Sequence, residues 1–356
     1  MELPDEIRRW ATFGPWYAMF PVDFALSVVH RYSSPGALVV DPFCGRGTTP
    51  YIAEALGRRG FGVEVNAVGW TYAATKLRPA SLNRVLDRLT SVALRASRSD
   101  LPDLPLFFTR AYAPNVRKFL AAARDMLDWR SGNVDRTAMA MLLLYAHGSR
   151  KNSFSNQMRQ TKSMSPAYAI DWWETRDMKP PKLDPIEFLK SRLEWRYQFG
   201  YPSLAPHGVV LGDSTRILPR RASDLGKWSL LLTSPPYMKV ANYHYDQWIR
   251  MWLLGGPPYP VVNGGKHQTW FGNREEYRDM LLTVFGNLAK TAKRGAVIYV
   301  RTDARQLTKQ ITLDVLREAF PSKHIRVNKR PMIGNSQTDL YNEGVVSPGE
   351  VDIILK

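Results

Sequence analysis

Four short apolar runs in this 356-residue chain each give way to a polar residue, and that pattern limits the fold more than any other feature. Ala37-Leu38-Val39-Val40 runs into Asp41. Phe61-Gly62-Val63-Glu64-Val65 carries Glu64 near its end. Gly208 to Gly212 runs into Asp213, and Leu230 to Leu232, within a strand read as Trp228 to Thr233, gives way to Thr233 and Ser234. Runs of this length, bounded by Gly and Pro, read as strands buried on both faces. Helical spacing recurs over Pro50 to Leu56, Glu275 to Lys290 and Leu307 to Phe320, while Ala296 to Arg301, Ile325 to Lys329 and Val351 to Leu355 read as further strands. The alternation predicts an α/β fold: a doubly wound, mostly parallel sheet with an antiparallel edge near its end. Ligands of such sheets sit at the carboxyl ends of the strands. Asp41, Glu64, Asp213 and Ser234 should therefore look onto one rim.

The first strand enters Asp41-Pro42-Phe43-Cys44-Gly45-Arg46-Gly47-Thr48, a glycine turn before a helix. Pro50 stands where a dinucleotide fingerprint would have its third glycine, so this is not G-x-G-x-x-G. Gly45 and Gly47 let the backbone approach a ligand with no side chain between. Glu64 follows about 20 residues later, where a strand-turn-helix-strand unit places the acid that accepts from ribose hydroxyls. Upstream, Pro21 can open an amphipathic helix running through Val28 and Val29, with Phe20 just before it.

Thr233-Ser234-Pro235-Pro236-Tyr237 carries the second chemical signal. Ser234 brings a hydroxyl. The prolines fix the backbone and leave carbonyls with no amide hydrogen beside them, and Tyr237 offers a flat face to a nucleobase. A planar base with an exocyclic amine would meet acceptors in its plane and a ring against its face. The second copy, Gly256-Pro257-Pro258-Tyr259, has no strand before it and reads as a turn.

Between about Leu77 and Pro206 the spacing is helical, over Leu82 to Ala96, Pro114 to Leu127, Arg136 to Ala146 and Asp184 to Tyr197. Within it, the polar stretch Ser149 to Asp171 holds Arg150, Lys151, Arg159 and Lys162 with Asn156, Gln157 and Gln160. These suit phosphate and base-edge contacts, or a solvated loop. Lys179-Pro180-Pro181-Lys182 reads as a short linker. Val240 to Phe271, rich in Tyr, Trp and Gly, reads either as a loop closing over the base or as a packed connection. A formal net charge of +17 makes nucleic acid the default partner. The longest apolar run, Ala138 to Ala146, is far below the roughly 20 residues of a membrane span, and the acidic start gives no leader signal, so an intracellular (cytoplasmic) protein is expected. The single cysteine, Cys44, excludes an internal disulfide and a multi-cysteine zinc site, and no metal is expected.

Together these residues resemble the S-adenosylmethionine-dependent DNA amino-methyltransferases. Asp41 to Thr48 is similar to their Phe-x-Gly-x-Gly cofactor motif. Thr233 to Tyr237 is similar to their catalytic tetrapeptide, in the Ser-Pro-Pro-Tyr form most often seen in cytosine-N4 enzymes; Asp-Pro-Pro-Tyr is commoner in adenine-N6 enzymes. The resemblance implies a Rossmann-like sheet built from residues 1–76 and 207–356, with 77–206 as a helical insert and candidate DNA-reading region. It implies S-adenosyl-L-methionine as cofactor, with Asp41, Pro42, Phe43, Gly45, Gly47, Thr48 and Thr233 around it. Glu64 would hold its ribose, Asp213 its adenine amine, and Phe20 would line the pocket. Ser234 and the Pro235 carbonyl would accept from the target amine, braced by Pro236, and Tyr237 would stack on a base flipped out of double-stranded DNA. Such enzymes can be paired with a cognate restriction endonuclease. Here the glycine motif precedes Ser-Pro-Pro-Tyr, the reverse of the order in many relatives.

Rival chemistries are weighed by the same residues. Cytosine-C5 methylation needs a thiolate, and the only cysteine lies inside the cofactor turn. Adenine-N6 transfer uses the same geometry. An RNA methyltransferase would share the sheet, but no appended RNA-binding domain is recognisable. A non-catalytic DNA-binding scaffold should have lost Gly45, Gly47 or Ser234, and all three are present.

Overall fold

The apolar runs pair into one seven-stranded sheet. In the computed structural model its strands are β1 (Leu38–Asp41), β2 (Arg59–Glu64), β3 (Val209–Leu211), β4 (Trp228–Thr233), β5 (Ala292–Asp303), β6 (Ile325–Arg330) and β7 (Glu350–Leu355). They lie in the order β3-β2-β1-β4-β5-β7-β6. Neighbours from β3 to β5 are parallel, and β7 runs antiparallel to both β5 and β6. The structure describes residues 2–16, 19–204, 208–238, 242–261, 271–330 and 349–356. They divide into two units: a sheet unit of Tyr17–Ala73, Ala205–Asn242 and Lys266–Lys356, and a helical unit of Met1–Trp16, Ala74–Leu204 and Tyr243–Gly265.

Strand periodicity sets the layers of the sheet unit. Leu38 and Val40, Phe61 and Val63, Leu231, and Ile298 and Val300 form one cluster with Leu218, Leu281, Val284, Phe285, Ile311 and Leu316. Those partners come from the helices Ser214–Leu225, Arg274–Ala289 and Gln306–Ala319. The alternate residues Val39, Leu230 and Leu232 are equally buried and point the other way. On that face Phe24 of the helix Val22–Tyr32 meets Tyr299 with ring centroids 5.6 Å apart. Helices thus cover both faces of the inner strands β1, β2 and β4, whereas the start of β5 and the edge strand β6 expose polar side chains such as Lys293, Arg294, Arg326 and Lys329. Truncating a residue such as Leu231, fully buried here, to Ala would cost about 2–5 kcal/mol.

Strand order decides where a ligand can enter. From β1 the chain moves outward through β2 to β3, then resumes at β4 on the other side of β1. The switch point between β1 and β4 is where an open α/β sheet leaves a crevice beyond its carboxyl ends. Val39 pairs with Leu230 and Val40 with Leu231, so the two strands end level with each other.

In the helical unit, Leu82–Ser97 buries Val85, Leu89 and Val92 along one stripe, against Pro114–Met126 and Asn133–Tyr145. The last of these has eight consecutive buried residues, Thr137 to Leu144, and is surrounded on all sides. The described part of Val240 to Phe271 forms two helices, Tyr243–Asp246 and Trp248–Leu253; residues 240–241 and 262–270 lie outside the described residues. Trp248 and Trp252, four apart and so on one helical face, reach Phe107 at 4.8 Å and Phe108 at 4.6 Å. These two tryptophans pack the helix Trp248–Leu253 into the helical unit. Lys179 to Lys182 likewise lies within the helical unit and joins no domains: Met178 and Leu183 on either side accept hydrogen bonds from Asn156 and Asn115. Among the described residues no helix is long and apolar enough to cross a membrane.

Candidate functional site

The site begins where β1 and β4 stop. Thr233, the last residue of β4, donates its hydroxyl to Asp41 Oδ1 at 2.7 Å, and the Phe43 amide donates to the same oxygen at 3.1 Å. Asp41 is therefore a brace within the rim: it ties the Ser-Pro-Pro-Tyr strand to the start of the glycine turn. Burial pushes its carboxyl up to about 6, against the hydrogen bonds from Thr233, Thr49 and Phe43.

The turn itself is held from β2. Cys44 N–H donates to Val63 O at 3.0 Å, and Gly47 N–H closes back on Cys44 O at 2.7 Å. Gly45 and Gly47 have φ of 52° and 76°, the left-handed region in which a side chain is strained. Gly47 has a second reason to be glycine: a Cβ there would stand 2.6 Å from Ala73 Cβ. Its small size clears the helix Ala67–Leu77, whereas the sequence suggested clearance for a ligand. The helix Thr48–Ala55 then starts two residues before Pro50. The proline falls in the first turn, where its missing N–H would have had no partner anyway.

Glu64 ends β2 and accepts from Gly45 N–H and Asn66 N–H, both at 2.8 Å, one on each oxygen. Burial pushes its carboxyl up to about 7; the amides of Asn66, Gly45 and Val65 oppose this, and the nearby Asp41 adds to it. Each carboxylate oxygen retains lone-pair capacity for a diol. Asp213, half-buried, caps the helix Ser214–Leu225 by accepting from Thr215 N–H at 2.9 Å and Thr215 Oγ1 at 2.7 Å. Thr48 supplies the sharpest sign of a missing partner. Its hydroxyl is buried, opens the helix Thr48–Ala55, and has no hydrogen-bond partner among the described residues. A buried hydroxyl left alone is unfavourable by about 1–3 kcal/mol, and a polar ligand group in the turn would relieve that. The glycine turn, the Thr48 hydroxyl and the Glu64 oxygens suit a ligand with a charged amino-acid end and a vicinal diol. Phe20, 7% exposed, sits before the helix Val22–Tyr32 and packs against Phe24, ring centroids 5.2 Å apart and planes tilted by 56°.

At the end of β4, Ser234 Oγ donates to Tyr237 Oη at 3.3 Å, and Tyr237 Oη donates to Glu350 Oε1 at 2.9 Å. Glu350 opens β7, and two residues on Asp352 receives Arg301 at 2.7 Å and Tyr299 Oη at 2.7 Å. Glu350 did not stand out in the sequence. Its place follows from antiparallel pairing with Asp303 across a long stretch of chain, which no local pattern records. Pro235 is buried and Pro236 half-buried. Tyr237 is only 6% exposed, so most of its ring is covered. Cys44 is buried in the turn, its Sγ against the strand at Gly62.

The basic candidates lie in the helical unit. Arg150, Lys151 and Arg159 are exposed, whereas Lys162 pairs with Asp246 at 2.8 Å. Their loop is braced by side chains beneath it. His147 Nδ1 contacts Arg159 O at 2.8 Å, the buried Arg250 donates to Gln160 O at 2.6 Å, and Gln247 donates to Thr161 O at 2.8 Å. Asn156 is buried and donates to Met178 O, and Gln157 Oε1 accepts from Arg150 N–H, so both have structural partners. Tyr259 of the second Pro-Pro-Tyr is exposed in the helical unit.

Residues 7–73 match the sequence profile of a family described as DNA methylase. That segment spans the helix Val22–Tyr32, β1, the glycine turn and β2 with Glu64. No curated protein matches the chain. Among solved structures, the rRNA methyltransferase aviRa from Streptomyces viridochromogenes aligns at 14% identity over 97% of this chain and 88% of its own, with a TM-score of 0.34. A TehB-like SAM-dependent methyltransferase from Corynebacterium glutamicum aligns at 7% identity over 93% and 86%, with a TM-score of 0.33. TrmN from Thermus thermophilus aligns at 12% identity over 99% and 52%, also at 0.33. The matched segment and the strand-end site it contains support an S-adenosyl-L-methionine-dependent methyltransferase similar to the DNA methylases, with S-adenosyl-L-methionine as the cofactor.

Proposed function

We propose that the chain transfers a methyl group from S-adenosyl-L-methionine to the exocyclic N4 amine of cytosine in double-stranded DNA, with the target base flipped out of the helix. One observation carries the reading: the 2.7 Å hydrogen bond from Thr233 to Asp41 ties the glycine turn and the Ser-Pro-Pro-Tyr stop to the same rim. Donor and acceptor sites on opposite edges of the sheet could not exchange a carbon.

When bound, the cofactor supplies an electrophilic methyl on a sulfonium. The chain's own residues do the rest. Thr48 and Glu64 would hold the two ends of the cofactor, and Asp213 would accept from its adenine. Ser234 Oγ has its proton directed at Tyr237 and so presents lone pairs to an amine N–H, beside the Pro235 carbonyl. Two acceptors in the plane of the base rotate the nitrogen lone pair toward the methyl group. Alignment of this kind would supply much of the rate: the amine nitrogen would bond to the methyl carbon as the carbon–sulfur bond breaks and the sulfonium becomes a neutral thioether, and the surplus proton on nitrogen would pass to water. Glu350 fixes the Tyr237 hydroxyl and, through it, the geometry of the stop. Arg150, Lys151 and Arg159 would contact DNA phosphates.

The test is tritium transfer from labelled cofactor to duplex DNA and to tRNA, followed by nucleoside analysis. Label in N4-methylcytosine supports the proposal; label in N6-methyladenine or in tRNA replaces it. Ser234→Ala should lower kcat at least tenfold with cofactor Kd nearly unchanged, and a weakened cofactor Kd instead would remove Ser234 from the acceptor side.

A further inference from the structure

The opposite rim of the sheet unit holds a feature that the proposed chemistry does not use. An open hollow of about 1030 Å³ lies at the amino ends of the parallel strands, lined by Arg31, Lys293, Arg294, Lys323 and Lys356, together with His30 and the hydroxyls of Ser33, Ser34 and Ser229. Among the described residues no acidic side chain lines it. The topology explains the gathering. The helix Val22–Tyr32 ends here with His30 and Arg31, β5 begins here, and β7, running against its neighbours, delivers Lys356 to the same edge.

Part of this charge has an internal role. His30 and Arg31 complement the carbonyl end of their helix, and Lys323 donates to Arg294 O at 2.9 Å and Ala296 O at 2.7 Å. Arg31 and Lys356 lie over the Tyr32 ring at 5.4 and 5.0 Å. These contacts orient the cations without neutralising them, and Arg31, Lys293, Arg294 and Lys356 remain exposed. Like charges gathered around one hollow repel each other, which disfavours the folded state unless an anion shares the space. The hollow is open rather than enclosed, so it suits an extended chain of phosphates better than one sequestered phosphate group.

We propose that this hollow is a second contact surface for the phosphate backbone of duplex DNA, separate from the segment being methylated. The six residues of β4 separate the two rims by about 20 Å, roughly a duplex diameter. A straight duplex docked at Ser234 therefore does not also fill the hollow, and the occupant is another segment. The choice of DNA rests on the function proposed above; the excess of cations does not.

The experiment compares the intact chain with a variant carrying Arg31→Gln, Lys293→Gln, Arg294→Gln and Lys356→Gln, by fluorescence anisotropy on a 60-base-pair duplex at several salt concentrations. Calorimetric S-adenosylmethionine binding serves as the control for folding. The log–log salt slope of the variant should be shallower by about 3 to 4, near 0.9 for each lost phosphate contact, with cofactor binding unchanged. An unchanged slope on a duplex that the wild type does bind overturns the hollow and leaves the methyltransferase reading intact. Wild-type protein that binds no duplex at any salt concentration overturns the DNA reading and this proposal together. A slope change confined to tRNA assigns the surface to RNA and overturns the choice of DNA.

Discussion

Glu64→Gln is the most informative single change in the cofactor half. In the folded protein burial holds this carboxyl near 7, whereas its ordinary value is 4.5. Between those values the folded chain keeps a proton that the unfolded chain has released. Stability from this group is therefore fully present below about pH 4.5 and is lost as pH rises through 7. A gap of about 2.5 pH units gives a loss of roughly 2–3 kcal/mol between pH 5 and pH 8, or on the order of 5 °C in Tm. Asp41, raised from 3.8 to about 6, adds a smaller loss of the same sign at lower pH. The glutamine carries no charge but can accept at one atom only, leaving either Gly45 N–H or Asn66 N–H without its partner, which costs about 1–3 kcal/mol. Absolute stability at pH 8 is then a near cancellation, and the slope is the clean readout. Melting curves of cofactor-free protein from pH 5 to pH 8 should fall for the wild type and be distinctly flatter for the variant. A ribose diol donating to Glu64 would favour its charged form, so the Tm gain from added S-adenosylmethionine should grow with pH in the wild type and lose that growth in the variant. Equal slopes for the two proteins would refute the buried-carboxyl argument; a pH-independent ligand gain in the wild type would refute the ribose assignment.

Thr48→Val removes a buried hydroxyl that lacks a partner while keeping its shape. The cofactor-free protein should gain about 1 kcal/mol in denaturant melts, while calorimetry shows cofactor affinity falling several-fold. Gly47→Ala brings a Cβ to 2.6 Å from Ala73 Cβ at a φ of 76°, and urea unfolding should show at least about 2 kcal/mol lost. His147 is fully buried, with Arg250 close by, and both effects hold its imidazole well below 6.5. Its contribution to stability is present above the unfolded value and declines as pH falls beneath it. NMR should find the His147 ring neutral at pH 6.

Strands buried on both faces were legible because burial writes itself into the chain as an apolar run: Leu230 to Leu232 marks the strand Trp228 to Thr233, which has the bounds its sequence suggested. Helix starts were legible at Asp184 and Pro114, where a capping acid or a proline marked them, but not at Pro166, whose helix lay inside a stretch read as polar loop. Pairings between distant residues were not. That Thr233 bonds Asp41, that Glu350 holds Tyr237, and that Gly47 makes room for Ala73 all depend on strand order and register, which local composition does not encode. The polar loop after His147 misled in a different way. Asn156 and Gln157 have the donors and acceptors that read base edges, but the same groups bond to backbone just as well, and here they do.

The reversed strand β7 has a reach that its six residues conceal. Glu350 at its head accepts from the Tyr237 hydroxyl, and Lys356, one residue past its tail, helps line the basic hollow. A slip of this strand against β5 would displace both ends at once in the same direction. The register of β7 against β5 thus sets Tyr237's partner and one wall of the hollow together, although the two lie at opposite ends of the strand.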